Sequence, residues 1–545
     1  MKINQNIETT KYKKSLKAYR KLSYRHVLVL ETDLSYQDKC KIFHYSDLER
    51  KASNELISIM KKNYKQLIRT KKYRKLKRLY RNYINKKDKE SCKTILKQLN
   101  TLQEQYNVTW DFCRTTMIPI GKKYGLDSIF SLTKAEDVWT AIEKCLYSNG
   151  KNIHFFKKGD LPSIRAKQSN RGIVILNKEN KLKFKFKNLV FGVKIKDKFE
   201  TDETNAILDY LSQSNLMDKQ AIYILQNDKI CISTYRPCYA TLVCKKIRGK
   251  LRVYIHLTIE GLPKPKLNKL GKPKHKLGKG TVGCDIGTQT IAYTSDTEVG
   301  LKNLAERGSS IFSNERKEKL IYRAMDRSRR KTNPQNYNAD GTVKKGHKNW
   351  KYSNRYKKLK NKHTELCRIN SINRHLSINE DVNHIRSLGN IFVTEPKNAK
   401  KLQKQAKNIT INKKGKINRK KRFGKSIKNR CPGYFQIQIE KKFSNTNGVY
   451  IEVPNDYRAS QYDHTANNYI KKKLSDRIYK LFDGTVVQRD WYSSYLLYCI
   501  DCETKTIDIK KCKNNFEIQY NKEKLLIERI KSNNIKILNS GIKVS

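Results

Sequence analysis

Much of this sequence is informative by omission. No stretch approaches the roughly 18–20 apolar residues of a membrane span, and the opening MKINQNIETTKYKK has no apolar core of the kind a signal peptide carries. The expectation is an intracellular protein with no membrane partner. No Gly-Gly dipeptide occurs anywhere, which weighs against a nucleotide site assembled from several glycine-rich phosphate turns. No two of the 10 histidines are spaced His-x-His, so the metal pair of a single-strand transposase is missing, and no His-Asn-His nuclease signature is evident. The 13 cysteines are odd in number and irregularly spaced, which argues for free thiols rather than a disulfide framework. Acidic residues are scarce, 50 against 118 Lys and Arg.

What is present is positive charge. A net charge of +68 over 545 residues opposes compaction unless a polyanion neutralises it, and structured RNA or DNA is the simplest such partner. The 32 tyrosines add to this, because tyrosines among Lys and Arg can stack on bases. Hydrophobic residues make up 37%, low but sufficient for a core, and the length allows several domains.

Along the chain the pattern changes several times. A strand is expected near residues 22–31. From Ser46 to about Thr101 the period is helical, with Leu76, Leu79, Tyr80 and Tyr83 on one face and Lys and Arg on the others. Helix-like segments continue from Asn107 to Ser148. Strands follow at Gly172–Leu176, Leu182–Phe186, Leu189–Ile195, Ile222–Leu225, Lys229–Thr234 and Arg252–Ile259, enough for a small β-barrel that the early strand can join. Residues 261–280 have no apolar period and read as a linker. A hairpin is expected at 282–295, a basic helical stretch at 313–388 broken by a polar loop at 333–347, then a block at 397–430 that contains no acidic residue. A helix at Gly433–Phe443 and a strand at Gly448–Pro454 follow. The block suits nucleic-acid contact, whether or not it orders without the polymer.

Three acidic residues stand in separate, recognisable settings. Asp285 lies in Val282-Gly-Cys-Asp-Ile-Gly-Thr288, Glu395 in Ile391-Phe-Val-Thr-Glu-Pro396, and Asp490 in Val487-Gln-Arg-Asp-Trp-Tyr492. The first two end apolar runs that read as buried strands, and the third opens a helical run from Trp491 to Ile500. Converging carboxylates suit Mg²⁺, and two such ions can hold both the attacking and the leaving oxygen of a phosphodiester. Asp285-Ile-Gly-Thr288 also fits the Asp-x-Gly-Thr of actin-like and sugar-kinase ATPases, but the further glycine-rich turns those need are absent.

Taken together, the residues from about 281 to 500 resemble the RuvC-like nuclease domain of TnpB, the transposon-encoded RNA-guided DNA endonuclease family that includes the compact type V CRISPR effectors. The resemblance rests on Asp285-Ile-Gly, Glu395 at a strand end, Gln488-Arg489-Asp490 followed by a helix, and Leu474-Ser-Asp-Arg477 shortly before it. It implies an α/β multidomain protein with an RNase H-like (RuvC) nuclease domain at 281–459 and 485–545. It also implies an N-terminal β-barrel wedge domain at 1–45 and 152–270, interrupted by a helical recognition lobe at 46–151, with a linker at 271–280. Asp285, Glu395 and Asp490 would be catalytic and hold two Mg²⁺ ions. The partners would be a guide RNA and target double-stranded DNA, in the cytoplasm of a prokaryotic cell and acting at the nucleoid. Candidate nucleic-acid contacts are Arg69, Lys72, Arg74, Lys77, Arg78, Lys400, Lys401, Lys404, Arg419, Lys420, Lys421 and Arg422.

One departure is clear. The family carries two Cys-x-x-Cys pairs between its second and third acidic motifs. Here Tyr462, Thr465, Lys480 and Asp483 fall at those positions, so no sulfur zinc site can form in a degenerate ribbon at 460–484. Packing through Tyr457, Tyr469, Ile478, Tyr479 and Phe482 is expected to replace it. Cys499-Ile-Asp-Cys502 and Cys512 read as free thiols. Two other readings remain. A guide-independent RuvC-type nuclease would not need the first 280 residues. An RNA-guided repressor that does not cut would not need the intact acidic trio.

Overall fold

The computed structural model describes residues 25–86, 88–148, 150, 152–167, 170–178, 181–194, 223–226, 229–232, 236–260, 275–306, 310–402, 410–411, 417–418, 424–444, 448–473 and 476–544. The chain divides into two units, Met1–Leu267 and Asn268–Ser545. No described helix is long and apolar enough to cross a membrane.

In the first unit, strand β1 (Arg25–Thr32) is followed by five helices: α1 (Tyr36–Arg69), α2 (Lys71–Lys86), α3 (Lys89–Gln105), α4 (Trp110–Lys123) and α5 (Ser128–Tyr147). The helices begin at Tyr36, ahead of the boundary read from periodicity. Ser35 supplies the start signal, its hydroxyl accepting from the Asp38 N–H at 3.1 Å. Asp88 and Thr109 cap α3 and α4 in the same way, each satisfying an amide the helix itself leaves free. The strands then resume as β2 (Ile164–Arg165), β3 (Ile173–Lys178), β4 (Lys181–Phe186), β5 (Leu189–Phe191), β6 (Val193–Lys194), β7 (Tyr223–Gln226), β8 (Lys229–Ile232), β9 (Arg236–Ile247) and β10 (Lys250–Glu260).

They form a five-stranded sheet ordered β2-β9-β10-β1-β6, a three-stranded sheet β3-β4-β5 and a β7-β8 pair. Among the described residues no ladder closes them into a barrel. The β9–β10 turn, Arg248-Gly249, has positive φ at both residues (50° and 79°), the backbone a two-residue hairpin favours. Tyr45, Phe130 and Phe186 meet edge to face with centroids 5.2–5.7 Å apart, tying α1 and α5 to β4.

The second unit is built on a five-stranded sheet ordered β13-β12-β11-β14-β17. Strands β11 (Thr281–Ile286), β12 (Thr290–Thr294) and β13 (Val299–Asn303) run as an antiparallel meander. On the other side of β11, β14 (Ile391–Thr394) and β17 (Val449–Glu452) pair in parallel. Helices α6 (Ser310–Thr332) and α7 (Asn354–Leu388) lie in the chain between β13 and β14. Between β14 and β17 come α8 (Ala399–Leu402), β15 (Thr410–Ile411), β16 (Ile417–Asn418), α9 (Gly424–Arg430) and α10 (Pro432–Ser444). After β17 come two small hairpins, β18 (Tyr462–Asp463) with β19 (Asn468–Tyr469) and β20 (Ile478–Lys480) with β21 (Val486–Gln488), then α11 (Arg489–Tyr498) and α12 (Ile509–Ser532).

Both faces of this sheet are covered at its centre, so β11, β12 and β14 are buried almost throughout rather than in alternation. Val282, Cys284 and Phe392 pack with Ile378, Val382 and Ile385 of α7 and Phe435 and Ile439 of α10. Val393 and Ile451 pack on the opposite face with Trp491, Tyr495, Leu496 and Leu497 of α11. Residues 275–280, expected as linker, are tied into this unit: the Gly278 amide donates to the Arg386 carbonyl and the Gly280 amide to Asn390. The rest of the expected linker, 261–274, lies outside the described residues.

Candidate active site

Strand alternation sets where the acids point. Val393 faces α11, so Glu395, two residues on, belongs to the same face. Gly283 also faces α11: a Cβ there would stand 2.2 Å from both the Ser494 carbonyl oxygen and the Tyr498 amide. Glycine therefore lets the helix lie directly on β11, and Asp285, two residues further, shares that face. The register pairs Cys284 with Thr394. Carried one residue on, it sets Asp285 opposite Glu395 at the carboxyl ends of adjacent parallel strands. Asp490 opens α11, which lies against that face, and the Gln488 side chain caps the helix by accepting from the Trp491 amide at 2.7 Å.

The electrostatics report the same convergence. Burial, and next the Asp285 charge, raise the pKa of Glu395 above its ordinary value, while the Ala459 amide and Lys397 pull the other way. Burial and then Asp285 also raise that of Asp490, against the pull of Arg489 and Arg477. Asp285 is thus electrostatically coupled to both of the others.

Each carboxylate is held by one oxygen. Glu395 Oε1 accepts from the Ala459 amide at 2.9 Å, an amide set by Arg458 in the left-handed region (φ 40°), where few non-glycine residues sit. Asp490 Oδ1 accepts from Arg489 Nη2 at 2.8 Å and Nε at 3.0 Å, with Arg477 Nη1 at 3.6 Å. Asp285 Oδ1 lies 3.5 Å from the Lys397 ammonium. The second oxygen of each accepts no hydrogen bond from the described residues. Half-buried and buried like charges with uncommitted hard oxygens form a donor set that suits Mg²⁺. The three are not packed as one tight ligand shell. Among the described residues, the trio of potential ligands whose donor atoms do lie within 4.8 Å of one another is Glu318, His363 and Cys367.

Lys397, Ala459 and Arg458 were not singled out by sequence reasoning. Lys397 follows Glu395 by two residues, a signal that was available. A backbone amide such as that of Ala459 leaves no signature in residue type.

The degenerate ribbon is held differently from the expectation. Tyr469, Ile478 and Phe482 are exposed, Phe482 at 79%, so they do not form its core. Tyr457 is buried and Tyr479 half-buried. The connector is Asp463, which is 1% exposed. Its Oδ1 accepts from the Thr465 amide at 3.0 Å and hydroxyl at 2.7 Å, and its Oδ2 accepts from the Phe482 amide at 3.1 Å. One carboxylate thereby joins the two hairpin turns. Of the four positions expected to replace thiolates, Tyr462 donates to Asn467, Thr465 to Asp463, Asp483 accepts from the Thr485 amide, and Lys480 is exposed. Cys499 and Cys512 are buried and Cys502 exposed, all three free thiols.

Among the candidate nucleic-acid residues, Arg69, Lys72, Arg74 and Arg78 are exposed on or beside α2. Lys77 is spent inside the fold: its ammonium donates to the Leu146 carbonyl and lies over the Tyr147 ring at 5.4 Å. Lys400 and Lys401 fall on α8, and their side chains lie outside the described residues, as do Lys404, Arg419, Lys420, Lys421 and Arg422. Leu474 and Ser475 of the Leu-Ser-x-Arg motif lie outside them too. No family model and no curated protein matches this chain.

Proposed function

We propose that the second unit is a divalent-metal-dependent nuclease domain of RNase H-like (RuvC) type. We further propose that the whole chain is an RNA-guided DNA endonuclease of the kind its sequence resembles, the TnpB family and its type V relatives. The observation that carries this reading is that the pairing of Cys284 with Thr394 carries on to set Asp285 opposite Glu395 and that Asp490 opens the helix packed on the same face, although 110 and 205 residues separate Glu395 and Asp490 from Asp285 (395 − 285; 490 − 285). Supporting it is the place of Asp285 and Glu395 at the carboxyl ends of central parallel strands, where open α/β sheets bind ligands.

Asp285, Glu395 and Asp490 would hold two Mg²⁺ ions, which when bound supply a Lewis acid for the attacking water and another for the leaving 3′ oxygen. The chain's own groups do the positioning. The Ala459 amide fixes the Glu395 rotamer, and Arg489 with Arg477 holds Asp490 by one oxygen, so that the other would be available to a cation. Lys397 offsets the Asp285 charge from 3.5 Å and would be available to a substrate phosphate. Products would carry 5′-phosphate and 3′-hydroxyl ends.

Specificity would come from pairing between guide RNA and one DNA strand, with protein reading only a short flanking motif and the heteroduplex shape. The net charge of +68 supports a polyanionic partner and implies affinity that falls steeply with salt. The test is to sequence the RNA that co-purifies with the chain, then offer Mg²⁺ and duplex DNA matching that RNA beside a randomised flank. A discrete RNA class and cleavage confined to matched DNA are expected. Mg²⁺-dependent cutting with no RNA requirement would remove the guide and leave the nuclease; no metal-dependent cutting of any DNA would remove both.

A further inference from the structure

Helices α6 and α7 run antiparallel against one another. Asn314 bonds Asn370 at 2.8 Å near one end, and Ser328 bonds Ser353 at 2.8 Å near the other. Midway along the pair, Glu318 of α6 faces His363 and Cys367 of α7. The latter two are four residues apart and so share a helix face. His363 Nε2 is 3.3 Å from Glu318 Oε1, Cys367 Sγ is 3.5 Å from His363 Nε2, and Cys367 Sγ is 3.9 Å from Glu318 Oε1. The Tyr322 ring lies 4.4 Å from the imidazole, centroid to centroid, and steadies it. Glu318 and His363 are 19% and 15% exposed.

These separations can be compared with a metal's requirements. Tetrahedral zinc with bonds of about 2.0 Å to oxygen, about 2.05 Å to nitrogen and about 2.3 Å to sulfur places its donors roughly 3.3 Å (N to O), 3.6 Å (S to N) and 3.5 Å (S to O) apart. Two of the three observed edges already match, and the third closes with a small rotation of Cys367. We propose that Glu318, His363 and Cys367 form a second metal site, separate from the acidic centre, that binds zinc and staples α6 to α7. The thiol selects against Mg²⁺ and Ca²⁺. Binding forms one bond from each donor and releases the thiol proton to solvent, so a carboxylate, a thiolate and a neutral imidazole leave a divalent ion electrically neutral. A solvent molecule completes the fourth position. Lys428 Nζ also lies 3.4 Å from Glu318 Oε1, but its side chain is 62% exposed and free to swing outward.

The experiment uses the full-length chain, stripped with chelator and titrated with Co²⁺ alone. Thiolate-to-cobalt charge-transfer absorption is expected to saturate at one equivalent and to be quenched by Zn²⁺. It is expected to vanish in Cys367→Ser and His363→Ala and to survive in Cys502→Ser and in Asp285→Ala. Glu318→Gln keeps the size and helix propensity of the side chain, guarding against a folding failure, and should bind Co²⁺ at least about ten-fold more weakly. Absence of the absorption in the wild-type chain overturns the site. So does an unchanged spectrum in Cys367→Ser, or an unchanged affinity in Glu318→Gln. None of these readouts depends on nuclease activity.

Discussion

Asp463 and Asp490 are both buried aspartates in the second unit, and their surroundings drive their acidity in opposite directions. Burial alone would raise both. At Asp463 the Thr465 hydroxyl and the Thr465, Ala466 and Phe482 amides outweigh it, and the carboxyl is held below its ordinary range. At Asp490 burial is reinforced by the Asp285 charge, and the two arginines do not restore the balance. The first carboxylate has both oxygens committed to the fold. The second keeps one oxygen in reserve and feels the like charge of Asp285. A fully satisfied buried acid is a structural fastener, whereas a buried acid left unfavourable and partly unbonded is held ready for a ligand.

The largest expected effect separates these two roles directly. Asp285→Ala, Glu395→Ala or Asp490→Ala should each lower cleavage by about 10³-fold or more, as expected where a metal supplies several kcal/mol of transition-state stabilisation. RNA binding should be kept, and the metal-free melting midpoint should not fall. Turnover at wild-type rates in any one of them would break the assignment of that carboxylate. Asp463→Ala should do the reverse. It removes hydrogen bonds to a charged acceptor from two hairpin turns, at a cost of about 3 kcal/mol to local stability. Amide hydrogen exchange should speed up at Thr465 and Phe482 while the α11 amides stay protected. Unchanged exchange at both turns would mean that Asp463 does not join them.

The next effect tests how the two acids on β11 and α11 are brought together. Gly283→Ala places a methyl where two backbone atoms of α11 already stand at 2.2 Å, and backbone cannot rotate out of the way. The helix must lift, taking Asp490 from Asp285. A shift of this order at a reacting centre costs about 10²-fold in rate, and the overpacking costs about 1–3 kcal/mol of stability. Cleavage assayed below the variant's melting midpoint checks it; a loss of stability with full activity would show that the close approach is not what positions Asp490.

The same contrast explains what the sequence could reveal. Asp285, Glu395 and Asp490 were legible because each ends or opens an apolar run, a local pattern. Gly283 carried a readable hint, since glycine inside a strand often marks a close backbone approach. Asp463 was missed because its partners are mostly amides, and every residue type has one. Packing by Phe482 was expected from its chemistry alone, and only tertiary structure reveals that it faces solvent. Strand β9 escaped notice for a physical reason: Pro237 near its start argues against a strand, and in the structure that proline sits at a register irregularity opposite Ile259, where a missing N–H is tolerated. The start of α1 was signalled by Ser35 and Asp38, three residues apart as in a capping arrangement, and periodicity alone placed it too late.

The smallest expected effect is in the pH dependence of metal-free stability, and its sign differs between the two acids. Glu395 binds its proton more tightly folded than unfolded, relative to an ordinary 4.5. Its contribution is therefore full below that value and is lost as pH rises through the higher folded one. Asp463 is the opposite case: its contribution is present above an ordinary 3.8 and is lost as pH falls through the lower folded value. In chelator, Glu395→Gln should thus melt at a higher temperature than the wild type at pH 7 and lose that advantage near pH 4. Asp463→Asn should melt lower at pH 7 and approach the wild type in acid. Adding Mg²⁺ should cancel the advantage of Glu395→Gln, because the wild-type chain then gains a ligand for its reserved oxygens. A Glu395→Gln chain that melts below the wild type at pH 7 without metal would mean that Glu395, like Asp463, is part of the fold's own bonding rather than a site waiting for a cation.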